Sequence, residues 1–159
     1  MIHFNFIAKD CTSKIYERYA AQAELPERIH KVCRTIQRKQ FATFSIIMEG
    51  LPNVYFNIDQ DFLSISTEIT AFLRFLRDPS PSIFKLHFHE RNMSFEFYGI
   101  DELEVQFKCI QKENIILEST VPRSILLENI ETMLKDFSDL IKHQFPRAYK
   151  IFKAEDFVL

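Results

Sequence analysis

Residues 83 to 99, IFKLHFHERNMSFEFYG, gather side chains that could do chemistry: His87, His89 and Glu96. Two imidazoles and a carboxylate are suitable donors for a zinc-type site, which needs three or four ligands at about 2.0–2.3 Å. Residues i and i+2 of a flat strand stand about 6.6 Å apart, so the two histidines would need a ligand leaning in from a second strand. Glu96 and Glu104 raise a related reading, general acid–base catalysis by paired carboxylates, which requires a pocket that lifts one pKa. An open strand face gives little such desolvation. The sequence holds no GxSxG, phosphate loop, GxGxxG or HExxH, and its two glycines are too few for a Gly-rich phosphate cradle. The plainer expectation is that HFHE is the wet side of a strand.

Stepping outward, the alternation of apolar and polar residues continues through four runs, 82–89, 92–99, 102–110 and 113–120, which predicts an antiparallel meander. With Arg91 and Asn92 as a two-residue turn, Phe88 opposes Phe95 and Leu86 opposes Phe97 on the inner face. On the outer face His89 then meets Ser94, His87 meets Glu96 and Lys85 meets Tyr98. A three-residue loop at 99–101 sets Phe97 against Leu103, Phe95 against Val105 and Glu96 against Glu104. A loop at 112–114 sets Cys109 against Leu117 and Lys108 against Glu118. The expected outer face therefore carries Lys85, His87, His89 and Glu96, together with Tyr98, Glu102, Glu104 and Glu118. Two carboxylates facing each other cost some tenths of a kcal/mol, a cost that folding does not require.

The rest of the chain supplies the support. IHFNFI at 2–7 alternates, with Ile2, Phe4 and Phe6 on one side. From Thr12 to Lys39 the period is helical, interrupted at ELPER, where Pro26 can open a second helix; two helices or one bent helix both fit. FATFSIIMEG and NVYFNID read as a hairpin, with Phe44, Ile46 and Met48 facing the same way as Val54, Phe56 and Ile58. A helix is expected over about 66–77, with Ser66 as cap and Pro79 closing the segment. Another follows from Pro122 to about His143, its stripe including Ile125, Leu126, Ile130, Met133 and Phe137. The aromatics of the C-terminal FPRAYKIFKAEDFVL, among them Phe145, Phe152 and Phe157, are expected to pack back. This element order indicates an α+β fold, a largely antiparallel sheet with helices on one face, in a single domain.

Composition narrows the function classes. The 159 residues are 47% hydrophobic and 26% charged, with 17 Phe and no Trp. That is ordinary for a globular protein with one phenylalanine-rich core. A net charge of −2 argues against a surface built wholly for nucleic acid. The helix at 27–39 carries Arg28, Lys31, Arg34, Arg38 and Lys39 and is the one RNA-binding candidate, but no aromatic interleaves its basic residues. Cys11, Cys33 and Cys109 form no CxxC pair and read as separate thiols of a reducing compartment. MIHFNFIAKD lacks the features of a signal peptide, and no apolar run approaches the ~18 residues of a membrane span, so a cytoplasmic protein without a membrane partner or cofactor is expected.

FATFSIIMEG, ITAFLRFLRD, IFKLHFHE, MSFEFYG, LEVQFKCI and LLENIETMLKDFSDLIKHQFP, spread over residues 41 to 146, together resemble small immunity proteins of bacterial polymorphic-toxin and contact-dependent inhibition systems, including the WapI-like group. The resemblance implies a non-enzymatic protein that binds one cognate toxin domain and blocks it. Used this way, the outer sheet face would present Glu96, Glu102, Glu104 and Glu118 to a basic groove of a nuclease toxin. A small metal-dependent enzyme centred on His87, His89 and Glu96 is the competing expectation.

Overall fold

The computed structural model describes residues 1–10, 15, 17, 18 and 23–154. The expected helical stretch at 12–22, Cys11 and Phe157 lie wholly or mostly outside the described residues. The order is β1 (Ile2–Ala8), α1 (Leu25–Lys39), β2 (Ala42–Met48), β3 (Val54–Phe56), α2 (Leu63–Arg77), β4 (Ile83–Phe88), β5 (Met93–Gly99), β6 (Glu104–Gln111), β7 (Asn114–Pro122), α3 (Arg123–Gln144) and α4 (Pro146–Ala154). The fold is α+β, as the periodicities predict, and its strands are divided between two antiparallel sheets, β1-β2-β3 and β4-β5-β6-β7.

Phenylalanine joins the two sheets. From the first, Phe4 meets Phe95 edge-on at 6.3 Å and Phe56 meets Phe88 at 4.8 Å. From α2, Phe72 touches Phe4, Phe84 and Phe97, filling the space between the sheets with one ring. Each fully buried Phe contributes roughly 2–3 kcal/mol over an exposed one, and the edge-to-face pairs add to that. Ile2, Phe4 and Phe6 are all buried, as are Ile29, Val32, Cys33 and Ile36 of α1. Burial pushes the Cys33 thiol well above its ordinary range and that of Cys109 up to about 11, so neither is a ready nucleophile.

Two local expectations change, and one contact is new. Ser66 lies inside α2, buried and donating to the Leu63 carbonyl, so it caps nothing; a single π-turn at Ile58–Phe62 leads into the helix instead. Ile125 is 45% exposed, not part of the α3 core stripe. Asn129 turns α3 into a cover for the free edge of β1: the Phe4 N–H donates to its Oδ1 at 2.7 Å and its Nδ2 donates to the Phe4 carbonyl at 2.9 Å. A side-chain amide there satisfies both groups that a missing strand would have paired. At the other end of the chain, Phe145 and Phe152 are buried, as expected.

Candidate functional site

Lys85, His87, Glu96, Tyr98, Glu104 and Glu118 lie on the outer face of the four-stranded sheet as alternation assigns, but with different neighbours, while His89 falls in the turn after β4 and Glu102 in the loop before β6. β4 pairs with β5 two residues away from the expected register: Leu86 opposes Phe95, His87 opposes Ser94 and Lys85 opposes Glu96. The connection is a four-residue loop, a 3-10 turn at His89–Arg91 closed by left-handed Asn92, instead of a two-residue turn at Arg91 and Asn92. Arg91 explains the choice. It donates to the Tyr55 carbonyl, lies 3.5 Å from buried Asp61 and covers the Phe56 ring at 4.6 Å, pinning the hairpin tip to the first sheet.

β5 and β6 slip further, by four residues. Phe97 opposes Phe107, Phe95 opposes Cys109 and Glu96 opposes Lys108. The Ile100 N–H donates to the Glu104 carbonyl, so the three-residue loop is at 101–103, not 99–101. Asp101 fixes it there, its Oδ1 accepting from the N–H groups of Leu103 at 2.7 Å and Glu104 at 2.8 Å. The expected Glu96–Glu104 pair therefore does not exist. Four positions of strand, about 13 Å, separate Glu104 from the residue that does face Glu96. Between β6 and β7 the expected register is correct, with Cys109 opposite Leu117 and Lys108 opposite Glu118.

These registers build a lateral row of alternating charge, Lys85–Glu96–Lys108–Glu118. Lys85 Nζ lies 2.6 Å from Glu96, and Lys108 Nζ lies 3.5 Å from Glu118. The Tyr98 hydroxyl donates to Glu96, Lys108 sits over the Tyr98 ring at 5.2 Å, and Gln106 donates to Glu118 at 2.6 Å. The Glu96 side chain is only 13% exposed. Its hydrogen bond from Lys85, then that from Tyr98, holds its carboxyl below the ordinary range. The same bonds raise Lys85 and Tyr98. A group this firmly ionised is the reverse of a general acid with a lifted pKa.

The histidines lie above this row, at the hairpin tips. Their rings are nearly parallel, 25° apart with centroids 6.2 Å apart. Glu96, the expected third ligand, is bound to Lys85 and Tyr98 and does not face them. Among the described residues no three His, Cys, Asp or Glu side chains gather in a metal-binding arrangement. His87 and His89 instead border an open groove of about 450 Å³ shared with Asn92, Ser94, Lys112 and Glu113. Sequence reasoning placed Asn92 and Lys112 in turns and missed that the two tips meet, the Lys112 N–H donating to the Asn92 carbonyl at 3.1 Å. The register itself was the missing signal.

The other end of the face is different again. Glu102 and Glu104 are exposed there, next to Ile100 and to Leu103, which is 75% exposed. Ile83, 58% exposed, pairs with Tyr98 across the first hairpin. On α1, part of the basic face is engaged locally: Arg28 Nε donates to the Ala23 carbonyl at 2.6 Å, Lys31 donates to the Arg18 carbonyl, and Arg34 approaches His30. No helix among the described residues is long and apolar enough to cross a membrane. Comparison of the chain with protein-family models, curated proteins and solved structures finds no match.

Proposed function

We propose that the chain is a non-catalytic binding protein that engages a protein partner through the outer face of its four-stranded sheet, and that the partner is a toxin domain of the class to which the sequence resemblance points. The observation that carries this reading is the character of the end formed by Ile83, Tyr98 and the 100–104 loop. Exposed Ile83 stands opposite Tyr98, exposed Ile100 and Leu103 lie at the adjoining loop, and Glu102 and Glu104 are exposed beside them. An apolar and aromatic centre inside a charged rim is the usual anatomy of a protein interface. The neighbouring charge row is already neutralised within the chain, so covering it strands no isolated charge. The acidic contribution to a basic toxin groove then falls to Glu102 and Glu104, while Glu96 serves the sheet.

The test is titration calorimetry and stopped-flow binding against the toxin domain that this reading expects to be encoded immediately upstream. Ile83→Arg with Leu103→Arg is expected to weaken binding at least a hundredfold. Reversing Glu102 and Glu104 to Lys is expected to slow association and flatten its salt dependence. Unchanged affinity in both variants sinks the proposal.

A further inference from the structure

We infer that the groove between the two hairpin tips is an oxyanion-binding site, taking a phosphate or carboxylate group between His87, His89 and Lys112, with Asn92 and Ser94 as additional donors. Three observations converge on it. All five side chains border the same groove of about 450 Å³. Among the described residues none of the five has a hydrogen-bond or ion-pair partner, in contrast to the charge row two positions away, where every ion is matched. Imidazole, amide, hydroxyl and ammonium groups with no acceptor of their own are the complement of an oxyanion.

The backbone supplies the third observation. The β6–β7 hairpin turns through Lys112 at φ 49° and Glu113 at φ 68°, while Asn92 across the groove has φ 46°. Three of the four described non-glycine residues in the left-handed region therefore border this one groove. A turn with two consecutive left-handed residues strongly favours Asn-Gly, and Lys and Glu are poor occupants of it. Strain of this kind persists where the side chain is worth more than the relaxed backbone. Here the strained residue carries the ammonium group to the groove.

Other charged groups frame the site. Glu113 borders the same groove, and Glu90 follows His89 in the chain. On the far side of the histidines a second groove of about 310 Å³ brings Glu68 of α2 and Lys85 of β4 alongside them. The site is independent of the partner proposed above, since it requires only a small anion.

The experiment is an NMR titration of the intact chain at pH 6.0, following the five histidine ring signals while inorganic phosphate or, separately, acetate is added at ionic strength fixed with sodium chloride. His30 and His143, both exposed and outside the groove, are internal controls. Saturable shifts at His87 and His89 alone, weakened at least tenfold by Lys112→Ala, are expected. Saturation by phosphate only identifies a phosphate site, and equal saturation by acetate identifies a carboxylate site. Shifts that fail to saturate with either anion, or that appear equally at His30 and His143, overturn the inference. A second variant guards against misfolding: Lys112→Asn with Glu113→Gly relaxes the turn and is expected to raise the melting temperature by about 2–4 °C while losing the phosphate response. A gain in stability with the response retained also overturns the assignment.

Discussion

Across the middle of the outer sheet face, Lys85, Glu96, Lys108 and Glu118 stand in a row in which each charge neighbours its opposite. A short way toward the hairpin tips, His87, His89, Ser94 and Lys112 share a groove, and among the described residues none of their side chains has a hydrogen-bond or ion-pair partner. Both regions rest on the same layer of Leu86, Phe88, Phe95, Phe107 and Cys109, so the difference does not come from the core beneath them. It comes from what each set of side chains does for folding. The row contributes cross-strand pairs that help hold the register, while the groove leaves its donors to solvent or to a ligand and adds a strained turn.

The largest expected effect is one that removes the common support. Phe95 is fully buried and touches Phe4, Phe88 and Phe107, so Phe95→Ala should destabilise the fold by about 3–5 kcal/mol and perturb both regions together. Chemical denaturation measures the loss; if NMR shows only one region disturbed, the two do not share a platform.

A smaller change separates them. Glu96→Ala leaves Lys85 and Tyr98 without their shared acceptor and should cost about 1 kcal/mol in denaturant unfolding. His87→Ala and His89→Ala, with no internal bond to lose, should stay within about 0.5 kcal/mol of the parent chain. Equal costs in the two regions would remove the distinction. A double-mutant cycle between Lys85 and Glu96 isolates the pair itself, where a coupling smaller than the whole Glu96→Ala effect is expected because Lys85 is half exposed and screened.

The subtlest separation is by pH. Glu96 has a lowered folded pKa, so its stabilisation is present above the ordinary value of 4.5 and is lost as pH falls through the lowered folded value. Lys85 is raised, so its share is present below the ordinary 10.5 and is lost as pH rises through the raised value. Stability measured against pH should show both losses in the parent chain and neither of these two contributions in Lys85→Ala/Glu96→Ala.

Much of the face was legible without the fold. Phe88, Phe95 and Phe97 are inward, and Lys85, His87, Glu96 and Tyr98 are outward, because a strand alternates with period two and one side must be buried. The division of the strands into two sheets was not legible, since nothing in the hairpin at 42–56 says which other strands lie beside it. Nor was the charge row. A slip of two or four residues returns every side chain to the same face, so the hydrophobic pattern is equally satisfied by several registers and cannot choose among them. The choice was made by contacts distant in sequence or buried in loop geometry: Arg91 reaching Tyr55 and Asp61, and Asp101 capping its own turn. The sequence by itself determined which side of the strands β4 to β6 faces solvent. Only the tertiary structure decided that Glu96 stands between two lysines instead of opposite Glu104, and that two hairpin tips bring His87 and Lys112 to one groove, because register is fixed by where the loops are anchored.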